Sequence, residues 1–562
     1  MVHKPAGWNT HAPSPFAGEG IYDWLRHREP RWTSLAILHR LDKETSGVLV
    51  FGKTPLANRS LTEQFTQHRV RKKYLLLTDH EVPQKDFTVK TALVRVGEKY
   101  ASRPGGEMAE TKFCRSRGDE AQIKIGNELE PPYVGGYNCV EASPLTGRTH
   151  QIRVHAAESG FPILGDTLYG GTAAARVFLH AAEISFTHPA TGEPVKFFAP
   201  VIFDTEPRLA LRSACVGQAF QPAGSGDFPV AKHGTGKFLE PAGWKACPTN
   251  AFRLIHGASD GWPGWFVEKL GDFLLSQSES PLSARQNEEL SRLAKTFSAR
   301  GVYHKMLSRQ VRRTTTADSS PQLVFGEAAP ERFEILENGI RYEMSFNEGY
   351  SVGLFLDQRD NRRRLLGGHV AAGFPLLQPS PESPMANRQL QILNTFAYTC
   401  GFSVCAAKAG ARTTSLDLSK KWLDWGKRNF ALNQLDPAGH DFLYGDALDW
   451  LRRLGKKQRR FDVILLDPPT FSRSKESGVF QAEKDYGQLV TAALPLLQSG
   501  GVLFASTNAA EWPAEEFLAS VTEAIYAADR KILQQHYVPQ PPDFPISRAE
   551  PAYLKTVWLR VE

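Results

Sequence analysis

The stretch LHRLDKETSGVLVFGKT, residues 38–54, places one acidic side chain, Asp42, between a basic pair and a tight Thr-Ser-Gly corner. The basic pair is His39 and Arg40, and an apolar run typical of a β-strand follows the corner. A carboxylate held among cations has a lowered pKa and stays ionised, which suits a nucleophile and an ordinary ion pair equally. Taken alone, the stretch favours the structural interpretation, so the rest of the chain must decide.

Residues 1–205 continue this alternation of short apolar and polar runs separated by glycine and proline. Runs such as KYLLLTD and YNCVEASP are typical of a mainly antiparallel sheet, and few helical patterns accompany them. Residues 206–248 are rich in glycine, proline and serine and are predicted to be a linker. Residues 249–345 are predicted to form a small α+β accessory domain.

From about residue 390 the pattern changes to strands that alternate with helices. The predicted strands are LQILNTF, TTSLD, DFLYGD, FDVILLDPP and GVLFAST. Such alternation predicts an open, mostly parallel sheet covered by helices on both faces. Residues 346–562 are therefore expected to be a Rossmann-like α/β domain, and the whole chain is expected to be multidomain.

The composition is that of an ordinary folded protein with a basic balance. The chain has 562 residues and a formal net charge of +7. Basic residues cluster at 68–74, 359–364 and 451–460. Such clusters fit a polyanionic partner such as RNA, although each run alone is more typical of a solvated helix face. The six cysteines form no C-x-x-C pair, so no metal site is predicted.

Three features of the sequence bear on location. No segment approaches the ~18 consecutive apolar residues that a membrane span needs. The N-terminal residues MVHKPAGWNTHAP lack the apolar core of a secretory signal. A disulfide framework is implausible at this length, which favours a reducing compartment. We therefore expect a cytoplasmic location without a membrane partner, while the oligomeric state stays open.

A second motif stands beside the Asp42 loop. It is TGRTHQIRVH at residues 146–155, and the chain opens with HKPAGW and carries KKY before an apolar strand. In this order, the motifs resemble the RluA-type family of RNA pseudouridine synthases. The resemblance covers roughly residues 1–205 and implies that this domain isomerises uridine to pseudouridine in RNA.

The resemblance also implies roles for particular residues. The reaction detaches uracil from ribose and rejoins it through carbon, so no cofactor is required, and the base must first be extruded from its stack. Asp42 is the implied nucleophile, with attack at the sugar C1′ and at C6 of the ring both open. Arg153 is expected to pair with Asp42 and keep it ionised. Tyr74 is expected to stack on the uracil and to assist removal of the C5 proton, and Arg40 to contact the flipped nucleotide.

Other residues of these motifs receive supporting interpretations. Arg148 is expected to support its loop or bind phosphate. His39 and His150 are interpreted as structural histidines. Because the chain begins directly at HKPAGW, the first strand of the domain is predicted to be short or absent.

The C-terminal half carries a second constellation. ILNTFAYTCGFSV occupies residues 392–404, acidic residues follow the next two predicted strands, and DPPTFSRSK occupies 467–475. In doubly wound sheets, ligands bind at the carboxyl ends of the strands. This set resembles class I S-adenosylmethionine-dependent methyltransferases of the RlmI/RlmK-like rRNA group, over about residues 249–562. It implies S-adenosylmethionine as cofactor, held by Phe396, Tyr398, Thr399, Gly401, Asp417, Asp446 and Asp467.

The Asp467-Pro468-Pro469-Thr470 loop is expected to carry the methyl transfer, with Asp467 and Pro468 as its catalytic residues. Methylation of cytosine at C5 needs a thiolate that attacks C6. The segment FASTNAAEW, residues 504–512, contains no cysteine where relatives that make 5-methylcytosine carry one. The resemblance is closer to the guanine-N7 branch. Cys400 stands where relatives commonly have glycine, so its side chain is expected to crowd the methionine part of the cofactor.

The sequence therefore predicts a bifunctional RNA-modifying enzyme whose substrate is large-subunit (23S) ribosomal RNA. One alternative is an RNA-binding ribosome assembly factor with one or both sites inactive. A second alternative keeps the methyltransferase but gives it a protein or small-molecule substrate, against which the basic runs argue weakly.

Overall fold

The computed structural model describes residues 1–29, 32–115, 123–125, 128–130, 137–203, 249–307, 319–349, 351–377, 389–474, 476–547 and 549–562. The linker predicted at 206–248 lies outside these residues. The division of the chain into domains at 205, 249 and 346 stays a prediction.

A mainly antiparallel sheet organises the N-terminal region, as the alternating runs predict. The helices of this region are α1 (Ile21–Arg28), α2 (Pro55–Thr66) and α3 (Gln151–Glu158). The strands are β1 (Val2–Lys4), β2 (Ala36–Ile37), β3 (Ser46–Leu49), β4 (Phe51–Gly52), β5 (Arg71–Thr78), β6 (Asp86–Val96), β7 (Lys99–Ser102), β8 (Glu107–Arg115), β9 (Ile123–Ile125), β10 (Glu128–Glu130), β11 (Asn138–Pro144), β12 (Leu179–Thr187), β13 (Pro194–Phe198) and β14 (Ile202–Phe203).

The order of strands in the large sheet places the motifs side by side. The order is β1-β3-β12-β5-β11-β8-β6-β7, with β13 paired to β12. The pair β3–β12 is parallel, whereas β5 is antiparallel to both of its neighbours. The predicted short first strand is the three-residue β1, which pairs with β3. As a result, the loop that carries Asp42 enters the sheet at β3, which only β12 separates from β5, the strand that carries Tyr74.

The middle of the chain forms a smaller α+β unit. Its elements are β15 (Ala251–His256), β16 (Trp265–Leu270), β17 (Phe273–Ser278), α4 (Ala284–Thr296), β18 (Gly301–Met306) and β19 (Gln322–Gly326). The strands form one sheet in chain order. Two hairpins and a helix follow, namely β20 (Phe333–Glu337), β21 (Ile340–Met344), α5 (Arg359–Gly367), β22 (His369–Ala371) and β23 (Phe374–Pro375).

The C-terminal region is the predicted open sheet with helices on both faces. Its elements are β24 (Gln391–Thr395), α6 (Gly401–Lys408), β25 (Arg412–Asp417), α7 (Lys420–Leu432), β26 (Asp441–Tyr444), α8 (Ala447–Lys456), β27 (Phe461–Leu466), β28 (Phe471–Ser474), β29 (Gly478–Gln481), α9 (Ala482–Ala493), β30 (Leu497–Thr507), α10 (Ala514–Ala527), β31 (Ile532–Val538) and β32 (Lys555–Val561). The order is β26-β25-β24-β27-β30-β32-β31. The first five strands are parallel, and β32 and β31 complete the sheet in antiparallel fashion.

Contacts cross the predicted boundary between the accessory and C-terminal regions. Asn429 of α7 accepts a hydrogen bond from the backbone N–H of Glu343 at 2.9 Å. Asn433, just after α7, accepts one from the N–H of Arg341 at 2.9 Å. The hairpin β20–β21 is therefore hydrogen-bonded to α7 and its C-terminal end, which belong to the C-terminal region.

The basic run at 359–364 is buried, which differs from both interpretations that the sequence suggested. Arg359 forms an ion pair with Asp543, and its Nη1 donates a hydrogen bond to Oδ2 of that carboxylate at 2.9 Å. Arg362 donates twice to the carboxylate of Glu337, each time at 2.7 Å. These guanidinium groups serve the packing of α5, because a buried cation must be paired and hydrogen-bonded. The run at 451–460 does lie on an exposed helix, where Arg453 pairs with Asp449.

Among the described residues, no helix combines the length and the apolar character that crossing a lipid bilayer requires.

Candidate active sites

A cleft of about 930 Å³ opens on the N-terminal sheet and collects the first set of motif residues. The loop 39–43, strand β5 and the start of α3 all contribute to its walls. Its polar lining includes Thr10, Arg40, Asp42, Lys43, His68, Lys72, Tyr74, Arg148, His150 and Arg153. The structure therefore brings together the four residues that the sequence proposed for the first reaction.

The opening HKPAGW explains how the Asp42 loop is held. The ammonium of Lys4, which is fully buried, donates to the backbone oxygen of Lys43 at 2.9 Å. The hydroxyl of Thr10 donates to the backbone oxygen of Leu41 at 3.0 Å, and the N–H of Leu41 returns a bond at 3.2 Å. Both neighbours of Asp42 are thus fixed through their backbones by the first ten residues, which leaves the Asp42 side chain free to face the cleft.

The electrostatic setting of Asp42 differs from the expected one. Its side chain is 25 % exposed. Burial raises the pKa of Asp42, and the neighbouring His150 and Arg153 oppose that rise without cancelling it. The expectation of a lowered pKa was therefore wrong, because desolvation of the carboxylate outweighs the nearby cations.

Arg153 makes its hydrogen bonds to an acidic residue that the sequence did not assign to the site. Its Nε and Nη2 each donate to the carboxylate of Asp166 at 2.7 Å. The remaining Nη1 lies 3.5 Å from Glu44 and 4.0 Å from Asp42. The expected ion pair between Arg153 and Asp42 is thus present at 4.0 Å, while a bidentate pair with Asp166 orients the guanidinium. Asp166 lies in LGDTLYG, residues 164–170, so the sequence shows this acidic side chain but does not reveal that Arg153 binds it.

His150, which the sequence suggested to be a structural histidine, lines the cleft together with Asp42. It stands just before α3 in a left-handed conformation with φ of 55°, which is strained for a residue other than glycine. Its Nδ1 lies 2.8 Å from the hydroxyl of Tyr169, and that hydroxyl accepts the N–H of Tyr100 at 2.9 Å. Among the groups around Asp42, His150 opposes the effect of burial most strongly.

Tyr74, Arg40 and His39 occupy the positions that their motifs suggest. Tyr74 lies on β5 and is buried to 9 % exposure, and burial together with Asp42 raises the pKa of its phenol, so the hydroxyl keeps its proton. Arg40 is exposed on the cleft wall. His39 accepts the N–H of Val50 at 3.1 Å, which agrees with a structural role.

The second set of residues lies at the carboxyl ends of the parallel strands. The loop after β24 contains three non-glycine residues with positive φ: Phe396 at 55°, Tyr398 at 47° and Cys400 at 61°. Asp417, at the end of β25, accepts the backbone N–H groups of Tyr398 and Ser419, each at 2.8 Å. The strained loop is therefore anchored on a carboxylate of the neighbouring strand, whose pKa burial raises.

Thr399 and Cys400 face the protein interior. The hydroxyl of Thr399 donates to the backbone oxygen of Gly353 at 2.6 Å, so this side chain is engaged in packing the loop. Cys400 is fully buried, and a Cβ added to Gly426 of α7 would lie 2.3 Å from its sulfur. Because Gly426 has no side chain, α7 leaves room for the sulfur of Cys400, which relieves the crowding expected at this position. Gly401 begins α6.

Asp446, which is expected to bind the cofactor, also has a structural role. Its carboxylate accepts the N–H of Asp449 at 3.0 Å and the hydroxyl of Ser477 at 2.6 Å, which makes it the N-cap of α8. Although burial opposes ionisation, these hydrogen bonds lower the pKa of Asp446. A contact with an adenine amino group stays a prediction.

Asp467 lies where β27 ends, and a side-chain amide holds it. Nε2 of Gln358 is 3.2 and 3.3 Å from the two carboxylate oxygens of Asp467 and 2.8 Å from the hydroxyl of Ser506. Burial raises the pKa of Asp467 to about 6. The hydroxyl of Tyr486 lies 2.9 Å from the backbone oxygens of Leu466 and Ser506 and ties the two strand ends together. Sequence reasoning missed Gln358 and Tyr486, because their contacts depend on the tertiary fold.

The loop beyond Asp467 leads from the interior to the surface. Pro468 is buried, whereas the hydroxyl of Thr470 reaches Asn508 at 2.8 Å and Phe471 is 41 % exposed. Within the described parts of this half, the cysteine side chains are those of Cys400 and Cys405, and burial raises the pKa of both thiols to about 12. Neither is therefore prepared to act as a thiolate.

Across the described ranges, no group of three or more His, Cys, Asp or Glu side chains is arranged to hold a metal ion.

Two family models match the chain, one in each half. The model described as S-adenosylmethionine-dependent methyltransferase matches residues 253–560. The chain belongs to this methyltransferase family. The model described as RNA pseudouridylate synthase matches residues 1–158, which include Asp42, Tyr74 and Arg153. The protein is thus an enzyme that joins a pseudouridine synthase domain to a methyltransferase domain whose cofactor is S-adenosylmethionine.

Relatives of the methyltransferase half are named as ribosomal RNA enzymes. A ribosomal RNA large subunit methyltransferase of Deinococcus radiodurans is 32% identical over 323 residues, which are 56% of this chain and 73% of that protein. Ribosomal RNA large subunit methyltransferase I of Aeromonas salmonicida is 32% identical over 314 residues, 55% of this chain and 74% of that protein. A solved methyltransferase in complex with SAH is 30% identical with a TM-score of 0.47, and the match covers 56% of this chain and 75% of that one.

The family assignment and the cofactor predicted from the sequence are therefore confirmed. The parts played by the individual site residues stay predictions, which the contacts above support or revise.

Proposed function

We propose that this enzyme isomerises a uridine to pseudouridine and methylates a base in large-subunit (23S) ribosomal RNA. The relatives of its methyltransferase half are named for that RNA. The observation that carries the proposal for the first half is the convergence of Asp42, Tyr74 and Arg153 on one cleft. We place the enzyme in the cytoplasm, where ribosomal RNA is available.

The cleft suits an extruded uridine. Its volume of about 930 Å³ exceeds what one nucleotide needs, so neighbouring nucleotides can lie along its wall. In the proposed reaction, an oxygen of Asp42 attacks the sugar C1′ or the ring C6, and the bond between N1 and C1′ breaks. After the base turns, C5 bonds to C1′, and the bond between Asp42 and the nucleotide breaks and frees the carboxylate. C5 then loses its proton and N1 gains one. Arg153, oriented by Asp166, faces the developing charge on the Asp42 side of the pocket.

Tyr74 is better suited to stacking than to taking the C5 proton. Its raised pKa means that the phenol stays protonated at neutral pH and cannot accept a proton. Arg40, on the exposed wall, is free to contact the flipped nucleotide or to fill the space that it leaves.

The residues at the strand ends of the methyltransferase domain fit S-adenosylmethionine. Each carboxylate oxygen of Asp417 accepts one backbone N–H. The remaining lone pairs can accept hydrogen bonds from the ribose hydroxyls of the cofactor. The cofactor supplies an electrophilic methyl group on a sulfonium. Asp467 and the buried Pro468 then place the loop against which the acceptor base lies, and Phe471 can stack on a base from the exposed side.

We propose guanine N7 rather than cytosine C5 as the methylated atom. Transfer to C5 requires a thiolate that adds to C6, and the thiols described in this half are buried and held protonated. N7 already carries a lone pair, so positioning next to the sulfonium is sufficient.

The test is modification of an unmodified large-subunit rRNA transcript by the full-length enzyme with S-adenosylmethionine, followed by nucleoside mass spectrometry. We expect pseudouridine and 7-methylguanosine. The appearance of 5-methylcytidine would overturn the base assignment. RNA binding without either product would favour the assembly-factor alternative.

A further inference from the structure

Helix α1 of the synthase domain packs on helix α5 of the methyltransferase half through polar contacts. Nη2 of Arg28 donates to Oδ1 of Asp360 at 2.7 Å, and the two side chains are only 13% and 6% exposed. Arg363 donates to the backbone oxygen of His27 at 3.2 Å, and Arg364 lies 3.8 Å from Glu19. Each domain therefore supplies ion-pair or hydrogen-bond partners to charged groups of the other.

Aromatic and backbone contacts extend this interface. The rings of Phe16 and Tyr537 pack edge to face with centroids 4.9 Å apart, and those of His27 and His536 with centroids 4.3 Å apart. The N–H of Ala372 donates to the backbone oxygen of Arg26 at 3.2 Å. The contact between the two halves is thus a packed surface that involves α5, β22 and β31.

Asp360 depends on the synthase domain for its charge balance. Burial works against its ionisation, and the cations around it more than compensate, so its pKa is lowered. Arg28 makes the largest contribution among these cations, ahead of the arginines of α5 itself. Loss of Arg28 would leave a buried carboxylate without its hydrogen-bonded partner, so the start of α5 would have to shift.

The same turn of α5 reaches the methyltransferase site. Gln358, two residues before Asp360, donates to both oxygens of Asp467. Its own oxygen accepts the side-chain N–H of Asn361 at 2.8 Å, and Asn361 in turn accepts the indole N–H of Trp558 at 3.0 Å. A change in the position of this turn would therefore move the amide that orients Asp467.

Helix α1 is well placed to act as a rigid support. The N–H of Tyr22 donates to the backbone oxygen of Thr10 at 2.9 Å, and the hydroxyl of Thr10 bonds the loop of Asp42. Asp23 accepts the N–H of Gly20 at 3.1 Å and caps the helix. The helix is thus fixed to the synthase core at one end and to α5 at the other.

We propose that Arg28 of the synthase domain is a positioning residue for methyl transfer: by holding Asp360 it fixes the first turn of α5, and with it Gln358 and Asp467. The inference rests on the proposed RNA methylation only for its kinetic readout. It makes the synthase domain a structural part of the methyltransferase site.

The test compares Arg28→Met, Arg28→Lys and the matched control Arg26→Met in the full-length enzyme. Arg26 lies on the same helix with an exposed side chain. We expect Arg28→Met to lower kcat for methylation of large-subunit rRNA about tenfold, with KM for S-adenosylmethionine changed by less than about twofold. Pseudouridine formation on the same RNA should stay within about twofold of wild type, since Arg28 lies outside the synthase cleft.

Arg28→Lys should recover most of the lost kcat, because it restores a cation beside Asp360. Adding Asp360→Asn to Arg28→Met should cause little further loss, as expected for two members of one pair. An unchanged methylation kcat in Arg28→Met, or an equal loss of both activities, would overturn the inference.

Hydrogen exchange gives a second readout that needs no RNA. Backbone amides of residues 356–364 should exchange faster in Arg28→Met than in Arg26→Met, and equal exchange would overturn the inference. A wild-type enzyme that methylates no rRNA would refute the proposed function alone, since the exchange experiment still decides the role of Arg28.

Discussion

The two reaction centres of this chain each contain one partly buried aspartate with a raised pKa, yet their surroundings differ. Asp42 faces an open cleft, and the neighbouring guanidinium of Arg153 comes only within 4.0 Å of it while donating its hydrogen bonds to Asp166. Both oxygens of Asp467 accept from the neutral amide of Gln358. Burial raises the pKa of both carboxyl groups. The surroundings leave the Asp42 carboxylate accessible, whereas the hydrogen bonds from Gln358 hold the Asp467 carboxylate in place.

The supports of the two aspartates differ in the same way. Asp42 sits in a loop whose backbone is fastened by Lys4 and Thr10, both far from it in sequence. Asp467 continues directly from the buried strand β27, beside a tyrosine that joins two strand ends. The difference suggests a reacting group at position 42 and a positioning group at position 467, and the following predictions test that distinction.

The largest effect is expected from Asp42→Asn. An amide cannot form the covalent bond of a carboxylate nucleophile, so pseudouridine formation should fall about 10³-fold or more. Methylation by the same protein should be unchanged. The measurement is nucleoside mass spectrometry of the modified RNA, with Glu63→Gln, an exposed acid on α2, as control. Retention of a tenth of the wild-type rate would contradict the nucleophile role.

A smaller effect is expected from Asp467→Ala. Loss of a positioning group should lower the methylation rate about 10²-fold and leave pseudouridine formation intact. The control is Asp424→Ala, an acid on α7 that is 44% exposed. If methylation were undiminished, Asp467 would have no part in the reaction.

The raised pKa of Asp467 predicts a pH-dependent stability. Its pKa rises from 3.8 to about 6 on folding, so the charged side chain costs stability fully above pH 6 and not at all below pH 3.8. Asp467→Asn removes this cost. Its stability relative to wild type should therefore increase by about 2 kcal/mol between pH 4 and pH 7.5. Thermal unfolding at several pH values measures this, and a difference that is constant with pH would contradict the shift.

The smallest effect is expected from Lys4→Met. The substitution removes the bond to the Lys43 backbone and loosens the Asp42 loop without touching the carboxylate, so pseudouridine formation should fall about tenfold. The matched control is Lys99→Met, whose lysine is exposed on β7. A loss as large as that of Asp42→Asn would show that Lys4 takes a direct part in the reaction.

The sequence was sufficient for the architecture and for predicting which side chains share the first cleft, while their roles in the reaction stay predictions. Alternation of apolar runs predicted the parallel strands from β24 to β30, and the motif order placed Asp42, Tyr74 and Arg153 together. These signals are local, because strand periodicity and loop motifs are written in contiguous residues.

What the sequence could not provide depends on contacts between distant segments. Arg153 prefers Asp166, and Gln358 reaches Asp467 across 109 residues. The pKa of Asp42 rises because of burial, which a string of neighbouring charges does not reveal. The basic run on α5 looked like an RNA-binding surface but is buried among acids, two of which belong to the other domain or to distant loops.

The most direct test of two separate centres is to measure pseudouridine formation by the wild-type enzyme on unmodified large-subunit rRNA with and without S-adenosylmethionine. We predict equal rates of pseudouridine formation in both reactions, with a methylated nucleoside only when the cofactor is present. Pseudouridine formation that stops when S-adenosylmethionine is omitted would contradict the account.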